Sequence, residues 1–437
     1  MKRGMRNSRR EFLKQSTLGG AGVLTSGSLS LVRFAHAAGS DIIKFALIGA
    51  GGRGTGACIQ LMNADQNLQV IAVADAFENR AQGAADRLRK QNPKQALIPP
   101  DRVFSGLEAY KAALATEADL VVLAEPPGFR PFTYKAAIEA GKHVFMEKPC
   151  CVDPPGYRML METNKLADEK GLLVAVGLQR RHEPRYIETI QRLRDGAIGE
   201  IKFLRVYWNG GGIWNRKRER GMTELQYQVH NWYHFCWLSG DNICEQHIHN
   251  IDVGNWVLGD DHPVEANGMG GCTARYRGEL RGTGQIFDHH FVEFVYANGV
   301  RMFSQCRHMA NCFNSVSEFA HGTKGVADCS GRIDGENSWR YTGPNPNGHQ
   351  QEQIDLVAAL RAGKRYNEGY YGANSSMTAV LGRMATYSGK VVKWDEAVEK
   401  GKSEFPKELR WDAPATVSKN AEGDYPIPMP GEYSPFA

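Results

Sequence analysis

The chain has 437 residues, 53 Lys and Arg against 48 Asp and Glu, and a formal net charge of +5. The first 37 residues hold seven Lys or Arg and one acid, a net of +6, which leaves about −1 for the rest and removes the basis for a nucleic-acid or anionic-membrane partner. Nine cysteines without a C-x-x-C pair, in a chain long enough for two cored domains, exclude a disulfide framework or a zinc-type spacing and read as small core residues.

Residues 1–37 form a segment apart from the fold. Ser8, Arg9, Arg10, Glu11, Phe12, Leu13 and Lys14 precede a mildly apolar, Gly- and Ser-rich stretch at 16–32, and Ala35-His36-Ala37 offers small residues for cleavage. This is similar to a twin-arginine signal peptide. It implies export to the periplasm or outside the cell, with no membrane attachment after cleavage, because the apolar stretch is too short and too polar to span a bilayer.

The mature chain opens on a strand at 43–48 that breaks into Gly49, Gly51 and Gly54 at G-x-G-x-x-G spacing, followed by a helix. Gly49 permits the sharp turn, Gly51 and its neighbours Gly52 and Arg53 face a pyrophosphate, and Gly54 lets helix and strand pack closely. The helix N-terminus turns free N–H groups and partial positive charge toward the phosphates. A second strand at 68–74 ends at Asp75, 21 residues past Gly54, where a carboxylate accepts from the adenosine ribose and repels a 2′-phosphate; NAD is the expected cofactor. Helices are expected at 78–90 and within 101–115, the latter after a short strand near Val103-Phe104. The apolar run 119–124 suits a strand buried on both faces and stops at Glu125-Pro126-Pro127-Gly128. A helix at 133–140 and a strand at 143–146 follow, ending in Glu147-Lys148-Pro149.

That combination of glycine turn, Pro-Pro and Glu-Lys-Pro, continued through Gly177-Leu-Gln-Arg-Arg181 and Gly196-Ala-Ile-Gly199-Glu200-Ile201, resembles the Gfo/Idh/MocA oxidoreductases over most of residues 42–390. The resemblance implies a Rossmann domain followed by an α+β domain with an open, largely antiparallel sheet whose free face often mediates assembly into a dimer or tetramer. It places Lys148 beside nicotinamide and substrate, with Pro126 and Glu147 on the cofactor. The domains are expected at 38–165 for NAD binding and 166–390 for substrate, with the last helices packing back on the first domain. Two departures stand out: Gly128 and Arg130 replace the histidines usual after Pro-Pro, and Glu245 replaces an Asp.

In the second half, alternation predicts strands at 201–208, 264–276, 291–296, 300–305 and 315–320, with Asn298-Gly299 as a hairpin turn. Residues 245–256 read as one helix with Glu245, His249 and Asp252 near one face. The resembled pattern is Asp-x-x-x-His-x-x-Asp, its His near the carbon that loses hydride, which implies His249 as base and Glu245 as its orienting partner. A metal site is not expected, since His247 and His249 lie about 200 degrees apart on a helix. Upstream, 210–218 and 226–237 mix glycine, basic and aromatic residues as a polyhydroxylated ring requires. Trp214, His230, His234, Arg181 and Asp252 are the expected substrate contacts, Tyr233 the expected second catalytic group, and the 227–234 cluster a source of a second base. The Pro-rich residues 391–437 read as an extended arm that is no core element and lies across a neighbouring subunit.

The functional expectation is hydride transfer on a sugar, polyol or glycoside. An exported enzyme finds no pool of free NAD, so the cofactor must be held and its redox state restored in each turnover. Sugar-to-sugar oxidoreduction satisfies this, and so does the transient-oxidation glycosidase chemistry resembling glycoside hydrolase family 109. The alternative from another class is a sugar-binding protein that keeps NAD structurally.

Overall fold

The computed structural model describes residues 42–436, so the leader expected at 1–37 lies outside the described residues. Six strands, β1 (Ile43–Ile48), β2 (Leu68–Asp75), β3 (Val103–Ser105), β4 (Leu120–Leu123), β5 (His143–Met146) and β6 (Val174–Val176), form one parallel sheet in the order β3-β2-β1-β4-β5-β6. Alternate residues serve opposite faces: Phe45, Leu47, Leu120 and Val122 join one core cluster, while Ala46, Ile48, Val121 and Leu123 join the other. Burial on both sides is why these strands are uninterrupted apolar runs. The boundary expected at 165 falls short, because β6 hydrogen-bonds to β5 and closes the sheet edge only at Val176. Returning chain supports that edge, with Val174 donating to the Tyr366 carbonyl and Glu368 N–H donating to Val174. The helix Gly348–Ala362 packs Leu356 and Val357 into the first domain's core, as expected for the C-terminal helices.

The second sheet has nine strands, β7 (Ile201–Gly210), β8 (Pro263–Gly271), β9 (His289–Tyr296), β10 (Arg301–His308), β11 (Ser315–Gly322), β12 (Gly325–Asp328), β13 (Arg332–Gly335), β14 (Trp339–Arg340) and β15 (Val392–Lys393). Their order is β14-β13-β12-β11-β7-β10-β9-β8-β15, and only the central β7–β10 pair is parallel. Strands β9 and β10 alternate strictly, with His290, Val292, Phe294, Met302, Ser304 and Cys306 buried. The helix Gly369–Ser388 covers this inner face so closely that a Cβ on Gly382 would come within 2.7 Å of the Phe294 ring. Gly299 at φ +81° makes the expected β9–β10 hairpin. Strand β15 adds residues 392–393 to the sheet, and the helix Trp394–Lys400 follows it, so the arm proper begins after Lys400 rather than at 391.

The arm has no helix or strand, but it folds back on its own chain. Phe405 packs between Phe129, Phe132 and Trp237, Trp411 packs on Phe77, and Tyr425 is buried with a hydrogen bond to Glu224. The expectation that it is no core element is corrected by those aromatics. Of the nine cysteines, Cys312 is exposed and Cys272 half-buried; the other seven are buried. No helix among the described residues is long and apolar enough to cross a membrane.

Asp241 ties the second domain together. It is fully buried at φ +74° and accepts from Phe287 N–H at 2.8 Å, Tyr387 hydroxyl at 2.6 Å and Asn242 N–H, with His290 Nε2 at 3.3 Å. Removing it leaves these donors buried and unanswered. Asp241→Ala is expected to lower the unfolding free energy by about 3–5 kcal/mol, read as a urea-midpoint shift; a shift within error contradicts the assignment.

Candidate active site

The strands of the first sheet deliver the expected groups to its carboxyl edge, where doubly wound sheets bind ligands. Beyond β1, Gly49 has φ +91°, and a Cβ there would stand 2.2 Å from the Glu125 nitrogen. A Cβ on Gly54 would stand 2.2 Å from the Gly49 carbonyl oxygen, so the turn and helix start can meet only as glycines. Gly51 and Gly52 differ: a Cβ at either meets nothing within 4 Å. These two face an open cradle at the N-terminus of the helix Gly52–Ala64, which fits a pyrophosphate. Asp75 accepts from Ala50 N–H at 2.8 Å and Phe77 N–H at 2.9 Å, fixing its carboxylate at the β2 end. Burial raises its proton affinity, opposed by those two N–H groups and by Arg80.

A cleft runs from the glycine turn past Asp75 and Pro126, walled by Phe77, Arg80 and Tyr110 and, from the second half, by Val229 and Trp232. His230, expected on substrate, lies at the Asp75 side of this cleft, 3.4 Å from Arg80 and edge-on to Phe77. The arm backs the same wall, since Trp411 packs on Phe77 and the Val417 carbonyl accepts from Gln228.

Arg53 turns away from the cradle. Its guanidinium binds Glu147 and, at 2.7 Å, both Gln60 and Glu352. Burial works against the Glu147 charge, but Arg53 and Lys148 hold its carboxyl below the usual range. Arg53 and Glu147 thus brace the β5 end for Lys148. Arg130, which the sequence offered only as a departure, is 1% exposed and donates to the backbone carbonyls of Glu125, Glu147 and Pro149, clamping the β4 and β5 ends together. Its clue was local, an arginine just past Pro-Pro.

The helix expected at 245–256 is two helices, Asn242–Glu245 and Ile248–Val257, with Gln246 and His247 as the joint. The break removes the i, i+4 relation but brings Glu245 against Lys148, whose Nζ donates to the Glu245 carbonyl and, at 2.9 Å, to Oε1. Glu245 Oε2 and the Tyr233 hydroxyl are both buried, have no partner other than each other, and lie close enough to influence each other's protonation. Burial raises both groups, with Lys148 opposing the shift at Glu245 and the Glu245 charge adding to that at Tyr233. His249 stacks on Trp208 at 5.8 Å between ring centroids, and its buried Nδ1 has no partner. Burial, then the Lys148 and Arg180 charges, depress its pKa well below the usual imidazole value, so the ring is neutral.

Other expected contacts are committed elsewhere. Arg181 binds Asp252 through three hydrogen bonds at 2.8–3.1 Å, reaches Asp260 at 2.7 Å and lies 3.8 Å over the Tyr371 ring. Arg181 and Asp252, expected to meet substrate, therefore meet each other, and Ser375 also donates to Asp252. His234 bonds the Trp214 carbonyl at 2.8 Å and is pushed by burial down to about 4. Trp214 packs edge-on to Tyr233 and carries Arg216 on its face. Of the 227–234 cluster, Tyr227 bonds the Thr283 carbonyl, which leaves Tyr233 as the member at the Lys148 site.

Residues 43–178 match the family model described as the oxidoreductase family with an NAD-binding Rossmann fold, GFO_IDH_MocA. That stretch is similar to the NAD-binding Rossmann domain of this oxidoreductase family. Among curated relatives, the chain is 25% identical over 219 residues to the inositol 2-dehydrogenase of Rhizobium meliloti (strain 1021), covering 50% of this chain and 56% of that protein. It thus spans about half the length of the curated relatives it matches. The fold extends further than the sequence likeness. A levoglucosan dehydrogenase solved with NADH and levoglucosan superimposes with a TM-score of 0.63 at 17% identity, over 81% of this chain and 99% of that one. The aldose-aldose oxidoreductase of Caulobacter crescentus, solved with glycerol, gives 0.62 at 19% over 80% and 99%. These likenesses extend over both domains, the parallel first sheet and the mixed second one.

The neutral state of His249 is directly measurable. Its ring nitrogens are expected to remain in the neutral state in nitrogen-15 NMR spectra down to pH 6. Lys148→Met, which removes the largest of the cationic causes, is expected to move the titration upward. A wild-type midpoint near 6.5 contradicts the environment described.

Proposed function

We propose that this protein is an oxidoreductase acting on a sugar, polyol or glycoside with NAD held through successive turnovers, so that each cycle ends with no net redox change. The observation that carries the reading is the Lys148–Glu245 pair beside a neutral His249 and the buried Tyr233 hydroxyl that faces Glu245, at the edge of a glycine cradle. Gly51, Gly52, Asp75 and Pro126 would hold the cofactor, and once bound NAD supplies the hydride acceptance and return that no side chain can provide. The chain's own groups manage protons and charge. His249 takes a hydroxyl proton at a free imidazole nitrogen, a role that its neutral state permits. Lys148 stabilises charge developing on the same oxygen, with its ammonium positioned by Glu245. Trp208 fixes the imidazole plane.

The aldose-aldose oxidoreductase likeness supports a second sugar as the species that restores the cofactor. A second reading draws on Tyr233. In a redox glycosidase, oxidation of a ring hydroxyl acidifies the neighbouring C–H, a glycosidic group is eliminated, water adds and the carbonyl is reduced again. That sequence needs another base, and the Tyr233 hydroxyl beside Glu245 Oε2 supplies a candidate. The arginine pair in the leader supports export, and export in turn favours a cofactor that does not leave.

Adding a panel of sugars to purified protein without added coenzyme is expected to produce the 340 nm absorbance of reduced nicotinamide. Lys148→Met is expected to slow its appearance about 10²–10⁴-fold while retaining the nucleotide. Normal rates in Lys148→Met remove the mechanism; nitrophenol release from a glycoside without coenzyme selects the second reading.

A further inference from the structure

Arg275 stands outside the groups used so far. It is 8% exposed, its Nε has no hydrogen-bond partner, and its side-chain hydrogen bond is from Nη2 to His308 Nδ1 at 3.2 Å. Among the described residues it forms no ion pair. Two buried carboxylates share the neighbourhood, and both are saturated. Asp241 answers Asn242, Phe287, Tyr387 and His290, while Asp288 accepts from the N–H groups of Thr273, Ala274 and Arg275 and bonds His289. Asp241 feels the Arg275 charge but makes no direct ion pair with it, and a buried guanidinium is ordinarily paired directly.

The sheet places this cation next to the candidate chemistry. Cys306 of β10 pairs in register with Trp208, the platform of His249, and His308 pairs with Gly210 one inward-facing step further on. That step is about 6.6 Å, roughly the width of one sugar ring. The His308 ring lies 6.0 Å from Tyr233, whose buried hydroxyl faces Glu245. Burial and the Arg275 charge push His308 down to about 3, so it is a neutral acceptor that orients the guanidinium without competing for an anion.

We infer that the substrate is an anionic carbohydrate, a sugar acid whose carboxylate binds the Arg275 guanidinium while a ring hydroxyl meets His249 and Lys148. A planar carboxylate matches the guanidinium fork, which a neutral hydroxymethyl group does not. The inference rests on the proposed carbohydrate site and narrows it to one charge class.

The test compares D-glucuronate and D-galacturonate, free and as methyl glycosides, with glucose and galactose and their methyl glycosides. It reads binding by calorimetry and cofactor reduction at 340 nm on the protein as purified. The wild type is expected to prefer the acids at least tenfold. Arg275→Met is expected to abolish that preference by lowering acid binding at least tenfold, and Arg275→Lys, which keeps charge but loses the fork, is expected to fall between. Equal or better handling of neutral sugars by the wild type overturns the inference and leaves the oxidoreductase reading standing; this arm holds even if the variants fail to fold. An unchanged acid preference in folded Arg275→Met also overturns it. Absence of binding and reduction with every sugar removes both readings.

Discussion

The contact on which the site depends is the buried ion pair between Lys148 and Glu245. It joins the end of β5 to the end of a four-residue helix in the other half of the chain, with side chains only 12% and 11% exposed. A pair so desolvated persists only when each partner is held in place by its surroundings. On one side Arg130 clamps the backbone around Glu147 and Pro149, and Arg53 holds Glu147 itself. On the other, Asp241 caps the short helix and anchors it to β9 and the long C-terminal helix. The lysine therefore reports the relative position of the two domains, and His249 shares its electrostatic field.

Desolvation explains a recurrent feature of the second domain. His234, His247 and His308 are all driven by burial to values of about 3 to 4, and His249 is driven down further by cationic neighbours. Only His249 among these has a platform ring and no hydrogen-bonding partner, so the same desolvation that keeps the others as neutral rings tied into hydrogen bonds leaves it free to act as a base. On the cofactor side, the arm's aromatics stiffen the wall over Asp75, which suits a nucleotide that stays.

Much of the first domain was legible in the sequence because its determinants are local. Gly49, Gly51, Gly54 and Asp75 are specified by turn geometry over a few residues, and strands buried on both faces announce themselves as apolar runs. Lys148 was found by motif, and the structure confirms its place at the strand end. The second half was harder for physical reasons. Nothing in residue spacing shows that Arg181 will pair with Asp252, 71 positions away, instead of facing a ligand. The 245–256 helix was misread because a break at Gln246–His247 leaves hydropathy unchanged while altering which side chains share a face. Strands of two to four residues, such as β12 to β15, are too short for alternation to register. The arm's prolines described its backbone correctly and said nothing of the surface it covers.

The central claim is a nicotinamide that resides in the protein and is returned to its starting state within each cycle. Mass spectrometry of small molecules released by denaturing the purified protein tests it most directly. The account predicts close to one equivalent of NAD or NADH per chain, unchanged after many turnovers. Protein that releases no nucleotide, and works only when soluble coenzyme is supplied in proportion to product, would contradict it.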